Sequence, residues 1–98
     1  MIRIIYSWKV KPEKVAPFIE AWKRTTNLIH DHVEGARGSF MLQNNEDTKD
    51  IKTIARWDSL KDWEKFWHDT NGNQMRSMHD LAEQVSVEVF DEIDDFTR

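Results

Sequence analysis

Ile2 to Val10 reads IRIIYSWKV, and its alternation decides the fold: Ile2, Ile4, Tyr6, Trp8 and Val10 interleave with Arg3, Ile5, Ser7 and Lys9. A two-residue period places every second side chain on one side of a strand, so this segment is a strand with one strongly apolar face. Such a face has to be covered, and the next residues supply the cover. Pro12 brings the φ of a first helical turn, Glu13 suits the positive end of a helix, and Pro17 falls where a missing N–H costs little. A helix is therefore expected over residues 13–32, with the stripe Val15, Phe18, Ile19, Trp22, Thr26, Ile29 and Val33, ending near the loop from Gly35 to Gly38.

Working outward, Gly38, Phe40 and Leu42 alternate with Ser39, Met41 and Gln43. Asn44, Asn45, Glu46 and Asp47 form a polar turn, and Ile51, Thr53, Ala55 and Trp57 resume the alternation. That is a β-hairpin. Asp58 and Ser59 are N-cap types ahead of Leu60, Trp63, Phe66 and Trp67 at helical spacing. Asn71, Gly72 and Asn73 interrupt this helix, a further helix carries Met75, Met78, His79 and Ala82, and Val85, Val87 and Val89 mark a last strand. The order β-α-β-β-α-β with right-handed crossovers gives an α+β, ferredoxin-like domain: a four-stranded antiparallel sheet with helices on one face.

One face of that sheet stays bare. With Ile2, Ile4, Tyr6, Trp8, Phe40, Leu42 and the three valines under the helices, the bare face is expected to carry Arg3, Ile5, Ser7, Met41, Ile54, Arg56, Glu88 and Phe90. Large apolar groups clustered on an open sheet mark an interface, so a homodimer joined sheet to sheet is expected, with Arg3 or Arg56 of one chain meeting Glu88 of the other.

Composition narrows the function. In 98 residues there are 14 Lys and Arg against 18 Asp and Glu, a net charge of −4, and enough apolar residues for one core only, spanning residues 1–98. Six basic residues and two acids fall in residues 1–30, whereas residues 80–98 hold seven acids and only Arg98. An acidic average without a clustered basic face argues against nucleic acid. No apolar run suits a secretory leader or a membrane span, so a cytoplasmic protein with no membrane partner is expected. The absence of cysteine removes disulfides, thiol nucleophiles and thiolate metal sites. His30 and His32 diverge on a helix and cannot share a metal there, and the tail of Asp91, Glu92, Asp94 and Asp95 lacks the spacing and glycine of a calcium loop. No phosphate-cradling glycine loop, nucleophile elbow or zincin motif is present.

Three segments in this order, WKVKPEKVAPF (Trp8 to Phe18), VEGARG (Val33 to Gly38) and RWDSL (Arg56 to Leu60), resemble the antibiotic biosynthesis monooxygenase family of dimeric α+β barrels. The resemblance implies a ligand pocket between sheet and helices in each subunit. In the haem-degrading branch an asparagine on strand one, a tryptophan on the helix after strand three and a histidine on the following helix act together; the matching positions here are Tyr6, Phe66 and His79, so only the histidine is retained. Trp67 lies one residue from the tryptophan position. The cofactor-independent branch asks only for a dry aromatic pocket and a base, with which an acidic, electron-rich aromatic reacts directly with dioxygen.

The resemblance thus implies a monooxygenase acting without a cofactor on a small planar aromatic. His79 would be its base, since its place beside Met75, Met78 and Ala82 aims it at a helix-sheet crevice. Tyr6 would hydrogen-bond the substrate oxygen, and Trp22, Phe66, Trp67 and Met75 would form the walls. The alternatives are a non-catalytic binding or sensing module using the same pocket, and a haem-binding or haem-degrading protein.

Overall fold

The computed structural model describes residues 1–69 and 74–97; the expected break at Asn71, Gly72 and Asn73 lies outside the described residues. Strand β1 (Ile2–Lys9) leads through a 3₁₀ turn (Pro12–Lys14) into helix α1 (Val15–His32). Strands β2 (Ala36–Gln43) and β3 (Asp50–Trp57), helix α2 (Leu60–Asp69), the short helix α3 (Arg76–His79) and strand β4 (Glu83–Asp91) follow. The sheet order is β2-β3-β1-β4 and every neighbouring pair is antiparallel, so the expected ferredoxin-like topology is observed.

The period-two reading of β1 holds residue by residue. Ile2, Ile4, Tyr6 and Trp8 are all buried under the helices, while Arg3, Ile5 and Ser7 are only half covered. Register carries this face across β3 as Ile51, Thr53, Ala55 and Trp57, opposite Trp8, Tyr6, Ile4 and Ile2. The core closes with Phe18 and Ala21 of α1, Trp63 and Phe66 of α2, and Met75 and Met78 around α3. On α1 the fully buried line is Phe18, Ala21 and Thr25, flanked by half-buried Ile19, Trp22, Thr26 and Ile29. Ser59 caps α2 as expected, its Oγ accepting from the Asp62 backbone N–H at 3.1 Å. Leu60, placed on the apolar stripe by spacing alone, is exposed.

Strand β2 departs from the expected face. Ala36 pairs with Trp57 but Ser39 pairs with Ala55, so β2 advances three residues where β3 advances two. The extra residue is a bulge, with Gly38 at φ +87°, a backbone state that glycine adopts without strain. A bulge reverses the inside–outside sense of everything after it. Ser39 and Met41 therefore face the helices, and Phe40 and Leu42, expected inside, lie on the bare face with 45% and 51% of their surface exposed. A second irregularity in β4 has the same consequence: Ser7 pairs with Ser86 and Trp8 with Gln84, leaving Val85 as the odd residue, exposed instead of covered. Of the three valines, Val87 packs against the core, and Val89, on edge strand β4, remains largely exposed.

The bare face accordingly carries a row running through all four strands, Phe40–Ile54–Ile5–Glu88, with Leu42 and Phe90 to either side. Arg3 and Arg56 stand on this face and find their partner in their own chain. The Arg3 Nε–H donates to Glu92 Oε1 at 2.7 Å, and the Arg56 guanidinium reaches Glu92 Oε2 at 3.2 Å. These contacts hold the Glu92 carboxyl below its ordinary range, the hydrogen bond from Arg3 contributing most. Within one chain both arginines are thus held by Glu92, and the pairing with Glu88 expected for them concerns a second copy. None of the described helices is long and apolar enough to cross a membrane.

Candidate functional site: a cleft between sheet and helices

Where α1 and the Met75–Met78 turn lie over the sheet, they leave a cleft. Its floor is Tyr6 from β1, Ser39 from β2 and Thr53, Ala55 and Trp57 from β3; its sides are Trp22, Thr25, Thr26, Ile29, Phe66, Met75 and Met78, with His30 at the edge. The interior of the cleft is narrow, with a cavity volume of about 50 Å³. That is well below the roughly 300–1,000 Å³ of small-molecule sites, so the walls stand close together. Apolar walls with a few polar groups are typical of such sites.

The floor residues share a face because Tyr6 pairs with Thr53 and Ser39 with Ala55. The bulge at Gly38 turns Ser39 inward, so the kink in β2 is also what brings a hydroxyl into the cleft. Tyr6 is 5% exposed, and its hydroxyl accepts the indole N–H of Trp63 at 3.0 Å. Burial disfavours the phenolate and pushes the Tyr6 pKa up to about 12, the Trp63 hydrogen bond opposing only part of the shift. The hydroxyl is therefore a neutral donor. Trp22 reaches across from α1 to donate its indole N–H to Ser39 Oγ at 2.9 Å, and Thr26 Oγ1 lies 3.4 Å from the same oxygen. Beside the floor, on the same face of the sheet, the Trp8 indole N–H donates to Thr53 Oγ1 at 3.0 Å.

Of the six residues singled out from the sequence, the cleft gathers four: Tyr6, Trp22, Phe66 and Met75. Trp67 is not on the wall. It stacks on Trp63 with ring centroids 5.5 Å apart and leans on Tyr6 at 6.0 Å, backing the pair from behind. His79 is not in the cleft either; its side chain is exposed and its ring lies 5.6 Å from Trp8. The reason is the phase of the last turn: Met75 and Met78 take the inward positions, and the residue after Met78 is carried about 100° around the axis. Thr25, Ser39, Thr53 and Trp57 line the cleft without having been singled out, and His30, noted only as half of an His-x-His pair, is the imidazole at its edge. The alternation of β3 already placed Thr53 and Trp57 inside; no sequence signal marked them as wall residues. Among the described residues, no group of three or more His, Asp or Glu is placed to hold a metal ion.

Fold and cleft together define a ferredoxin-like α+β protein with an aromatic, hydroxyl-bearing pocket between its layers. The sequence profile of the antibiotic biosynthesis monooxygenases matches residues 1–72, and the chain belongs to that family. Solved structures agree at the level of fold. A Bordetella bronchiseptica protein named for the same family superposes with a TM-score of 0.81 at 16% identity, over 94% of this chain and 96% of that one. SnoaB, a cofactor-independent oxygenase from Streptomyces nogalater, gives 0.80 at 12% identity over 99% and 97%. Rv0793 from Mycobacterium tuberculosis gives 0.73 at 12% over 98% of both chains. A search of curated proteins finds no match.

Proposed function

We propose that the cleft binds a small planar aromatic bearing an oxygen substituent and that the protein oxidises it with dioxygen without a cofactor. The observation that carries the reading is the buried Tyr6 hydroxyl, held neutral in an aromatic cavity and oriented by Trp63. In this reading Tyr6 holds the substrate oxygen, while Trp22, Trp57, Phe66 and Met75 clamp the ring and keep water out. An activated methylene of an anthrone-like substrate loses a proton, and the carbanion is oxidised by dioxygen. One oxygen atom becomes the new carbonyl and the other leaves as water with the two hydrogens, so no external reductant is needed. His30 edges the cleft and His79 stands outside it, so the proposal moves the proton acceptor from His79 to His30. Similarity of fold to SnoaB, named a cofactor-independent oxygenase, supports the class of chemistry.

The test is oxygen uptake with an anthrone-like panel. Uptake that falls at least tenfold in Tyr6→Phe and His30→Ala supports the assignment; ligand-dependent quenching of tryptophan fluorescence with no uptake would reduce the protein to a binder. One observation favours that second reading: the inner walls carry hydroxyls and rings, and among the described lining residues the only imidazole lies at the edge with 57% of its side chain exposed.

The proposal includes a homodimer through the bare sheet face. Its support is the row of Phe40, Ile54 and Ile5 with Leu42 and Phe90 beside it, a contiguous apolar strip on an unpaired sheet. Light scattering that gives twice the mass of one chain is the expected result, and a one-chain mass at micromolar concentration would overturn it.

A further inference from the structure

Three tryptophans are bound to the cleft in the same way. Trp63 donates its indole N–H to Tyr6, Trp22 to Ser39 and Trp8 to Thr53, at 3.0, 2.9 and 3.0 Å. All three acceptors line the cleft, and they come from three different strands. An indole N–H can only donate, whereas a hydroxyl has one proton and two lone pairs. Each indole therefore occupies a lone pair and leaves the hydroxyl its proton to place. For Tyr6 and Thr53 no acceptor of that proton is found among the described residues, and for Ser39 the one at hand is Thr26 Oγ1 at the long distance of 3.4 Å. Buried donors without acceptors are costly, so the cleft has protons to give and a need for something to take them.

We propose that Trp63, Trp22 and Trp8 are positioning residues that turn the hydroxyls of Tyr6, Ser39 and Thr53 into donors aimed at the cleft, so that the site selects ligands by their acceptor oxygens. This deepens the functional reading above and rests on the cleft being the ligand site. A ring carrying a carbonyl is favoured over its hydrocarbon counterpart by more than their difference in hydrophobicity, and a ligand whose polar groups are N–H donors with no lone pair to offer, as in an indole, is refused, because it would meet donors with donors. With Tyr6 and Ser39 separated across the floor by the β3 strand, a ligand with acceptors at two edges engages both.

The test pairs acetophenone with ethylbenzene, two single-ring molecules of nearly one shape that differ in the acceptor. Binding is read by tryptophan fluorescence and by the infrared carbonyl stretch of bound acetophenone. Tyr6→Phe and Ser39→Ala each delete one donor with little change of shape, and Trp63→Phe removes the indole N–H while leaving the Tyr6 hydroxyl in place. The expected result is a loss of acetophenone affinity of about three- to tenfold in each variant, the size of one hydrogen bond, with ethylbenzene unchanged. The carbonyl stretch, lowered in the unaltered protein, should move back up in Tyr6→Phe and also in Trp63→Phe, a signature that loss of packing alone would not produce. Equal effects on both probes, or a carbonyl stretch identical in all variants, would overturn the inference and leave the pocket standing. Failure of both probes to bind the unaltered protein would remove the pocket reading and this inference with it.

Discussion

Replacing Tyr6 by Phe removes a single oxygen atom, and the structure says what that atom supports. Its partner, the Trp63 indole N–H, sits on a residue that is 7% exposed, under a stacked Trp67 that closes it from water. The bond itself is worth about 1 kcal/mol net, and the orphaned donor left behind raises the loss to about 1–3 kcal/mol. For a chain of about 100 residues each kcal/mol lowers Tm by about 4–8 °C. Trp63→Phe loses the same bond plus apolar contact, and the double variant, which has no orphan, should be less damaged than the sum of the two. Urea unfolding followed by fluorescence gives the four free energies of the cycle, with the m-value as a check that compactness is unchanged. A coupling above about 1 kcal/mol is expected. Additivity within about 0.5 kcal/mol, the behaviour of independent sites, would refute the bond and with it the orientation of the cleft hydroxyl.

Tyr6 is the only tyrosine, so absorbance at the tyrosinate band reports it alone. Ionisation should be delayed to about pH 12 while the fold persists. Because the folded value lies above the unfolded value of about 10, the stabilisation is complete below pH 10 and lost as pH rises from 10 towards 12; ionisation of folded protein near pH 10 would contradict the burial. Glu92→Gln should weaken the clamp on Arg3 and Arg56. Since the folded Glu92 pKa is lowered, its contribution exists above the ordinary carboxylate range and fades as pH falls through it, so the variant should flatten the acid limb of the stability curve below about pH 4; an unchanged acid limb would refute the clamp. Gly35→Ala forces a φ of +87° on a residue whose Cβ would collide with Asp62, and a loss of about 1–3 kcal/mol by denaturant titration is expected; a neutral result would refute the positive φ and the close approach of Asp62 in the turn after α1. Ile54→Asp places a charge in the middle of the apolar row and should convert dimer to monomer by light scattering, while a dimer that persists would move the interface elsewhere.

The fold was legible because its deciding signals are local and regular. Strand β1 alternates without interruption, Pro12 and Ser59 mark helix starts, and the turn at Asn44 to Asp47 is built from residues that bond their own backbone, Asn44 Oδ1 accepting from the N–H groups of Glu46 and Asp47. The face of β2 beyond Gly38 and the place of Val85 on β4 were not legible because each strand contains an extra residue, and a period-two reading cannot see an insertion that reverses its own phase. Gly38 was the only hint, and a glycine inside a strand pattern does suggest a bulge. The cleft was half legible. Tyr6, Trp22, Phe66 and Met75 follow from which faces are apolar. His79 does not, since a residue at the rim of a helical stripe can fall on either side, and the phase of a four-residue helix is set by its neighbours. Least visible were the pairings of Trp8, Trp22 and Trp63 with hydroxyls, contacts across 45, 17 and 57 residues of chain that depend on register and helix placement together.

The central claim, that the space between α1 and the sheet is where this protein meets its ligand, is tested most directly by the five indole N–H resonances in a ¹⁵N-labelled sample titrated with acetophenone. The largest shifts are expected at Trp22 and Trp57, which line the cleft, with smaller ones at Trp63 and Trp8 through Tyr6 and Thr53. Changes confined to Trp67, or to Trp8 together with the ring of His79, would place the ligand elsewhere and contradict that claim.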